Sequence, residues 1–244
     1  MKGKNILITG ASQGIGEAVT RRLSELGATV IMIARNKEKL IKIQKSLNNN
    51  SLIYQYDLKD LDNIEDIFLF CKENNVILDG MVHCAGISRD MPIRANDTET
   101  MIDVMRINYM SFVSLSKYFI RKKYSNNNSS IIAISSNATR ANAAGMCVYT
   151  SSKSALETSV KILAKETIKR QIRVNAIAPA WVDTSMMENA ENYVNADSIV
   201  KSQPLGVIPP VYIAYLVDFL MSEKGKYITV VFTQFSGEIK YPPP

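Results

Sequence analysis

Residues 6–19 read ILITGASQGIGEAV, and this stretch decides the fold. A β-branched run comes first, glycines follow at Gly10, Gly14 and Gly16, and an amphipathic pattern then continues to position 26. Glycine permits a tight turn and a close backbone approach, while the free N–H groups at a helix N-terminus attract anions. The stretch therefore predicts a strand, a pyrophosphate-binding loop and a helix. The residues expected to contact the phosphates are Gly10, Ser12, Gln13, Gly14, Ile15 and Gly16.

The same alternation of short β-branched runs and longer helical segments extends along the whole chain. Such alternation is typical of parallel strands joined by helical crossovers. We therefore predict the α/β class: a single Rossmann-type doubly wound domain, with a seven-stranded, mostly parallel sheet and helices on both faces. The predicted strands are 6–9, 29–34, 52–56, 80–83, 130–135, 173–178 and 227–232, and the predicted helices are 14–26, 37–47, 64–73, 98–122, 149–170 and 212–222.

One domain is predicted over residues 1–240. The 244 residues are 46% hydrophobic, which suffices for one large core, and no linker or internal repeat is visible. The segment 180–204 is rich in Asn, Met and Ser and is predicted to be a flap over the carboxyl ends of the strands, where ligands bind in such sheets. Residues 241–244 are expected to form an extended tail.

Cysteine and histidine usage argues against a metal site. Cys71, Cys84 and Cys147 form no CxxC pair and His83 is the only histidine, so a zinc site of the usual spacing cannot be assembled. Three cysteines also make no complete disulfide framework. The N-terminal apolar run is far shorter than that of a signal peptide or a membrane span. We therefore expect a reduced, cytoplasmic protein.

Positive charge is concentrated near the N-terminus. The formal net charge is +6, and the first 50 residues hold nine Lys or Arg against three Glu. A basic surface attracts nucleic acid, membranes or phosphate-rich small ligands, although solvated surface lysines are the simpler interpretation. No nucleic-acid motif accompanies the charge, so neither a nucleic acid nor a membrane is expected as a partner.

The ends of the second and third predicted strands indicate which dinucleotide fits. A free ribose 2′-hydroxyl usually meets an acidic residue after the second strand, whereas a 2′-phosphate meets arginine. The second strand here leads into Arg35, which favours NADP(H) over NAD(H), with Ser12 as a helper; a solvated surface arginine is the alternative. Asp57, followed by Leu58, is expected at the adenine, with a helix cap as its alternative.

Tyr149 and Lys153 carry the predicted chemistry. They stand four residues apart at the start of a predicted helix and so share one face. Acid–base work near neutral pH requires the tyrosine pKa to fall by about 3 units, for which an ammonium group and an oxidised nicotinamide are suitable neighbours. The spacing alone is common on solvated helices. It gains weight from Ser136, thirteen residues earlier at a strand end, and from Asn108, whose position inside a helix indicates either a backbone or water contact or a purely structural role.

With these residues assembled, the chain resembles the short-chain dehydrogenase/reductase family over nearly its whole length. It is most similar to the 3-oxoacyl-[acyl-carrier-protein] reductase-like branch. The matching stretches are Thr9 to Gly16, Asp57, Ala85-Gly86, Asn108, Ser136, Tyr149 with Lys153, Arg173 to Ala176 running into Pro179 and Thr184, and Pro204 to Gly206.

The resemblance implies hydride transfer between a nicotinamide cofactor and a carbonyl or alcohol carbon. Tyr149 would act as the general acid or base, and Ser136 would hold and polarise the substrate oxygen. Lys153 would lower the pKa of the Tyr149 phenol and bind the ribose hydroxyls, and Asn108 would hold a water of a proton relay. The further cofactor contacts that the resemblance implies are Leu58, Ala85, Gly86, Tyr149, Lys153, Pro179, Val182 and Thr184.

The chain departs from the family pattern at three places. His83 and Cys84 replace an Asn-Asn pair before Ala85, and His83 is expected to be structural rather than catalytic. Ala180 replaces a glycine and is expected to restrict the backbone at the nicotinamide pocket, because alanine avoids positive φ. The usual Asp-Gly-Gly near the C-terminus is replaced within 235–237, in a region that helps to build the dimer or tetramer that the resemblance implies.

Three functions compete at this point. They are an active carbonyl reductase or alcohol dehydrogenase, a catalytically silent NADP(H)-binding relative that acts as a regulatory or interaction module, and a nucleic-acid binder. The chain keeps the complete set of candidate catalytic residues, which favours the enzyme, because a catalytically silent relative is free to lose some of these residues. Residues 87–97 and 185–204, which are expected to line the pocket, mix Met, Ile and Asn, so the expected substrate is a moderately apolar ketone. The resemblance implies a compound similar to a 3-oxoacyl thioester.

Overall fold

A computed structural model describes residues 1–48, 50–190, 203, 205–230 and 232–235 of the chain. Its strands are β1 (Asn5–Thr9), β2 (Thr29–Ala34), β3 (Ser51–Gln55), β4 (Leu78–His83), β5 (Ser125–Ile134), β6 (Arg173–Pro179) and β7 (Phe232–Phe235). Its α-helices are α1 (Gly14–Glu25), α2 (Lys37–Lys45), α3 (Asp66–Glu73), α4 (Thr98–Met105), α5 (Ser111–Phe119), α6 (Ala138–Ala141), α7 (Cys147–Thr167), α8 (Ser185–Ala190) and α9 (Pro210–Met221).

The seven strands form one sheet in the order β3-β2-β1-β4-β5-β6-β7, and every neighbouring pair is parallel. The chain begins at β1, moves outward to β3 and then returns to β4 on the other side of β1. This reversal makes the crevice beyond the carboxyl ends of β1 and β4 the topological switch point, where ligands bind in such sheets. The predicted doubly wound fold is confirmed.

Two hydrophobic clusters cover the two faces of the sheet. One joins Leu7 and Met81 of the sheet to residues of α3, α5 and α7, and the other joins Ile8 and Val82 to residues of α1, α2 and α9. Alternate residues of one strand therefore serve opposite layers, as the pleat of a strand requires. Because both faces are covered, the strands can be apolar almost throughout, which is typical of parallel sheets.

The last strand was predicted at 227–232, and that prediction is wrong: β7 spans Phe232–Phe235. A 3₁₀ turn at Glu223–Gly225 delays the strand, and the following residues bond to β6 instead of extending the sheet. Asn175 of β6 donates a 3.0 Å hydrogen bond to the Ile228 carbonyl, and the amide of Val230 donates to the Val174 carbonyl at 3.0 Å. Alternation of apolar residues could not distinguish this docked turn from a strand.

The long helix predicted at 98–122 is divided. A π-helical turn at Arg106–Met110 separates α4 from α5, and α5 ends at Phe119. π-turns occur frequently at functional sites because the extra residue redirects one side chain. Here the turn contains Asn108.

The predicted flap is described only in part, since residues 191–202 and 204 lie outside the described residues, as do the predicted tail at 241–244 and most of the altered C-terminal segment. Among the described helices, none combines the length and apolar character needed to cross a membrane.

Candidate active site

A cleft of about 610 Å³ opens at the switch point of the sheet. The phosphate loop forms its floor, and the ends of β2, β3 and β4 form its walls. Of the predicted cofactor contacts, those that line this cleft are Gly10, Ser12, Gln13, Gly14, Ile15, Gly16, Arg35, Asp57, Leu58, Ala85, Gly86 and Thr184.

Two glycines allow the phosphate loop to pack against its neighbours. Gly10 has φ +65°, and a Cβ there would lie 2.8 Å from the amide nitrogen of Ala85 in the loop after β4. A Cβ on Gly16, at the start of α1, would lie 2.1 Å from the carbonyl oxygen of Gly10. Both distances are too short for any side chain. Glycine is therefore required at both positions for β1, α1 and the end of β4 to pack this closely.

The part of the cleft beside the end of β2 carries two cations. Arg35 lines the cleft directly after β2, and Lys39 lines it from the first turn of α2. Asn36 caps α2 by accepting a 2.8 Å hydrogen bond from the Lys39 amide, while the Lys39 ammonium donates to Gln13 Oε1 at 3.0 Å. The sequence predicted Arg35 at this place but not Lys39. The position of Lys39, only four residues after Arg35 and at the start of the next predicted helix, could have indicated it.

Asp57 lies at the cleft, where its contact with the adenine stays a prediction, and it is not the helix cap that was the alternative. It lines the cleft beside Leu58, and its Oδ1 also accepts a 3.0 Å hydrogen bond from the Lys59 amide. The carboxylate thus stabilises the turn after β3. It does not cap α3, which begins nine residues later.

A second cavity of about 430 Å³ continues from the cleft, and the two share Ile15, Gly86 and Thr184 in their walls. The second cavity, called here the substrate pocket, contains Ser136, Tyr149 and Lys153. The remaining predicted cofactor contacts, Pro179 and Val182, also line it. The predicted catalytic side chains and the phosphate loop therefore meet along one continuous groove.

Tyr149 lies in the first turn of α7 and is buried. Burial raises the pKa of its phenol to about 12, the hydrogen bond with Ser136 lowers it, and the charge of Asp90 raises it. Ser136 follows β5 and reaches Tyr149 across the loop that contains α6, as the sequence predicted. With these protein groups alone, the Tyr149 phenol is protonated at neutral pH.

Lys153 lies one turn further along α7, with 4% of its surface exposed. Its ammonium donates a 2.8 Å hydrogen bond to the Ile134 carbonyl and lies 5.8 Å from the centre of the Tyr149 ring. Burial lowers the pKa of Lys153 to about 8, while Cys84 and Glu157 act in the opposite direction. A Cβ on Gly86 would lie 3.2 Å from the Lys153 ammonium, so the glycine leaves this nitrogen open toward the cleft.

Asn108 is fully buried in the π-helical turn and does not line either cavity. Its amide clamps the loop after β4: Ile87 N donates to Asn108 Oδ1 at 2.8 Å, and Asn108 Nδ2 donates to the Ile87 carbonyl at 2.9 Å. Asn108 Nδ2 also donates to Ser152 of α7 at 3.0 Å. The predicted backbone contact is confirmed, and Asn108 ties the Gly86 loop to the helix of Tyr149 and Lys153.

His83 is a fully buried strand-end residue, as expected from its position. Thr9 Oγ1 lies 3.0 Å from its Nδ1, and its ring packs against Phe112. Burial, reinforced by the charge of Lys153, lowers the pKa of His83 to about 3. The imidazole therefore stays neutral and joins β1 to β4 below the phosphate loop.

The neutral His83 gives a pH-dependent stability. In the unfolded chain its pKa is near 6.5, so between pH 6.5 and 3 the unfolded state binds more protons and the folded state loses stability as pH falls. Because of His83, the free energy of unfolding of the unaltered protein is expected to fall by roughly 3 kcal/mol between pH 6.5 and 4. In His83→Asn this contribution is expected to be absent, and urea unfolding at both pH values measures the difference. Parallel pH profiles for both proteins would contradict this prediction.

Ala180 does not strain the nicotinamide side of the pocket. It lines the pocket but is not among the described residues with positive φ, so an alanine fits its backbone without penalty. The next residue, Trp181, was not predicted to contribute. Its backbone N–H donates a 3.0 Å hydrogen bond to Gln203 Oε1, and Trp181 lines the pocket together with Met146, Met186 and Met187, which makes this wall largely apolar.

The described part of the flap contacts the phosphate loop. Gln13 donates a 3.1 Å hydrogen bond to Ser185 at the start of α8, and Val182 forms a parallel β-bridge with Ile208. Thr184 lies against Gly14, where a Cβ would come within 3.0 Å of its methyl group. Across the described residues, no group of three or more His, Cys, Asp or Glu is arranged to hold a metal ion.

A parallel sheet with a glycine-rich loop at its switch point, opening onto a pocket with a buried tyrosine and lysine, defines the class of dinucleotide-dependent oxidoreductases. The family model for short chain dehydrogenases matches residues 4–194. The chain belongs to this family, and the resemblance inferred from its motifs is confirmed.

Individual relatives agree with this assignment. The 3-oxoacyl-[acyl-carrier-protein] reductase of Rickettsia prowazekii is 36% identical over 237 residues, covering 94% of this chain and 93% of the relative. A short chain dehydrogenase from Burkholderia cenocepacia, solved in complex with NADP, has a TM-score of 0.90 and 26% identity, with 97% and 98% of the two chains covered. A blue fluorescent protein from a metagenomic library, solved with NADPH, has a TM-score of 0.88 and 25% identity, with 97% and 98% covered.

Proposed function

We propose that this protein is an NADP(H)-dependent oxidoreductase that interconverts a carbonyl and an alcohol, with Tyr149 as general acid or base. The observation that carries the proposal is the meeting of Ser136, Tyr149 and Lys153 in a pocket that continues directly from the dinucleotide cleft. When bound, the nicotinamide cofactor supplies or accepts the hydride.

The residues present fit that cofactor. The phosphate loop offers the free N–H groups of α1, and Gly10 and Gly16 keep the backbone open to a pyrophosphate. Gly86 leaves the Lys153 ammonium accessible to ribose hydroxyls. Val182 and Thr184 stand where the cleft joins the substrate pocket, which supports their predicted contact with the carboxamide. The relatives solved with NADP and NADPH support the choice of dinucleotide.

In this proposal, Ser136 donates a hydrogen bond to the substrate oxygen and holds it beside the Tyr149 phenol. Tyr149 donates its proton to that oxygen in reduction and removes it in oxidation. Lys153 is proposed to hold the ribose hydroxyls and, as the resemblance implies, to lower the pKa of the Tyr149 phenol. In the structure, that pKa is set by burial, Ser136 and Asp90. Asn108 fixes the Gly86 loop against α7, and the water predicted to bind it would use the remaining lone pair of its carbonyl oxygen.

Arg35 and Lys39 are proposed to select NADPH by binding its 2′-phosphate. Because each contributes a charge-assisted contact that NADH lacks, Arg35→Ala and Lys39→Ala are each expected to lower kcat/KM for NADPH about tenfold and to leave that for NADH within about twofold. Steady-state rates with both cofactors measure the preference. Lys42→Ala, an exposed lysine of the same helix outside the cleft, is the matched control. An unchanged preference in either variant removes that residue from cofactor selection.

The substrate is proposed to be a 3-oxoacyl thioester or a similar ketone. The apolar wall made by Trp181 and the neighbouring methionines supports this class, as does the name of the Rickettsia relative. The alternative is a catalytically silent NADP(H)-binding module. NADPH consumption measured with acetoacetyl-CoA, diketones, keto-sugars and steroids separates the two: turnover of any of them excludes the silent module, while binding of NADPH without turnover of any contradicts the proposed enzyme.

We also propose that residues 1–240 act as one cytoplasmic domain with a flap at about 180–204, and that the protein forms a homo-oligomer. Exposed apolar side chains on α4, α5 and α7, among them Ile102, Val113 and Ile162, support an interface on that side. Light scattering of the purified protein measures the assembly, and a monomer at micromolar concentration would contradict it.

A further inference from the structure

The substrate pocket contains one acidic side chain that the proposed mechanism does not use. Of the described residues that line the pocket, only Asp90 and Lys153 carry a formal charge. The Lys153 ammonium is buried and bonded to the Ile134 carbonyl at the cofactor side. Asp90 lines the pocket from the loop after β4 and is half-buried.

The position of Asp90 is fixed by its neighbours. Ser88 donates a hydrogen bond to Asp90 Oδ1. The next residue, Met91, donates from its amide to the Gly145 carbonyl at 2.9 Å, and Asn96 Nδ2 donates to the Met91 carbonyl at 3.2 Å. The loop is thereby attached to the segment that leads into α7. The Asp90 carboxylate is consequently held in the pocket wall rather than free to swing into solvent.

The charge of Asp90 acts at the place where the substrate oxygen is proposed to bind. Asp90 contributes to the raised pKa of the Tyr149 phenol, which means that its field opposes a second negative charge at that point. Among the described residues no cation forms an ion pair with Asp90. Glu157, the other carboxylate near this end of α7, is compensated by Arg140 at 3.0 Å and does not line the pocket.

We infer that Asp90 determines the charge selectivity of the substrate pocket, rejecting carbonyl compounds with an anionic group close to the reacting carbon and accepting neutral or cationic ones. The inference rests on the proposed carbonyl reductase function and narrows its substrate class to esters, thioesters and ketones without a nearby carboxylate. Mostly apolar walls strengthen the effect, because a charge interaction is screened less in a pocket of low dielectric.

The test compares acetoacetate with its methyl ester, and the cationic choline ester of acetoacetate with its neutral isostere, the 3,3-dimethylbutyl ester. We expect Asp90→Asn, which keeps the hydrogen bond from Ser88, to raise kcat/KM for acetoacetate relative to the methyl ester by about tenfold. The same variant is expected to lower kcat/KM for the choline ester relative to its isostere by about tenfold, whereas the neutral esters change less than about twofold. Opposite responses to opposite charges exclude a merely structural defect.

The control is Glu25→Gln, which removes an equal charge at the exposed end of α1, outside the pocket. The inference would be overturned if Asp90→Asn left the kcat/KM of each charged compound relative to its neutral counterpart unchanged, or if Glu25→Gln changed these ratios equally. Trp181, the only tryptophan, lines the pocket, so quenching of its fluorescence reports binding of the same four compounds without turnover. If the unaltered protein reduces none of them, the proposed function fails on these substrates, and the fluorescence affinities still decide whether Asp90 discriminates by charge.

Discussion

Tyr149→Phe is expected to lower kcat for carbonyl reduction about 10³-fold while leaving the affinity for NADPH within about threefold. General acid catalysis by a positioned side chain contributes about 10²–10⁴-fold, and about 10³-fold corresponds to about 4 kcal/mol of transition-state stabilisation. Phenylalanine retains the ring that packs at the start of α7 and removes only the proton donor. The loss should therefore appear in kcat, with little change in the dissociation constant for the cofactor.

Single-turnover NADPH oxidation measures the chemical step, and fluorescence titration measures cofactor binding. Tyr212→Phe is a suitable control because that phenol is 52% exposed on α9 and lies outside both cavities. Rates in Tyr149→Phe equal to those of the unaltered protein would reject Tyr149 as the proton donor. A simultaneous loss of NADPH affinity and of thermal stability would instead indicate that the phenol supports the fold.

The electrostatics of Tyr149 favour one direction of reaction. Its pKa of about 12 keeps the phenol protonated at neutral pH, so it can donate to a substrate oxygen without a prior proton transfer. Oxidation of an alcohol requires the phenolate, whose formation burial and Asp90 both oppose and Ser136 assists. The protein groups thus favour carbonyl reduction near neutral pH and predict that the oxidative rate rises with pH.

Features that depend on local pattern could be predicted from the sequence. The glycine spacing identified the phosphate loop and the start of α1 at Gly14, because few other structures require glycine at those positions after a β-branched run. The four-residue spacing of Tyr149 and Lys153 placed both on one face of α7, since that is fixed by the helical repeat. Ser136 was found because the end of a strand and the start of the next helix limit where the connecting loop can return.

Features that depend on tertiary contacts could not be predicted. Residues 227–230, which were expected in a strand, form a turn that bonds to β6, and their alternating pattern gave no sign of that partner. Asn108 acts through a π-helical turn that arises from packing against Ile87 and Ser152, which helical periodicity does not report. Trp181 and Asp90 enter the pocket from loops, where side-chain direction follows no repeat. The backbone conformation at Ala180 also needed the folded chain, which shows that its φ is not positive and suits an alanine.

The parts of the groove proposed for catalysis and for cofactor binding are joined by short contacts to the loop after β4. Gly10 touches the loop that bears Gly86, and Asn108 holds that same loop against α7. A displacement of the phosphate loop would therefore reach Lys153 and Tyr149 through two short contacts. This connection is the reason that a glycine of the phosphate loop is expected to affect the proposed site although it lies outside the substrate pocket.

Gly16→Ala is expected to weaken NADPH binding about 10²-fold and to lower Tm by roughly 6–12 °C. The new Cβ would lie 2.1 Å from the Gly10 carbonyl oxygen and 2.7 Å from the Gly10 carbonyl carbon, both backbone atoms. Neither can rotate away, so α1 must move off the end of β1 at a cost of about 3 kcal/mol, and 1 kcal/mol corresponds to about 2–4 °C in a chain of this size. The displaced helix then no longer presents its N–H groups to the phosphates.

Gly3→Ala separates this clash from simple backbone strain. Gly3 has φ +76° with nothing within 4 Å of the added Cβ, so alanine there is expected to cost about 1–2 kcal/mol and to leave the NADPH dissociation constant unchanged. Calorimetry gives Tm, and titration with NADPH gives the affinity of each variant. If Gly16→Ala binds NADPH as tightly as the unaltered protein, the close contact between α1 and the end of β1 is not needed for dinucleotide binding. If Gly3→Ala also loses affinity for NADPH, the effect of Gly16→Ala is not specific to the phosphate loop.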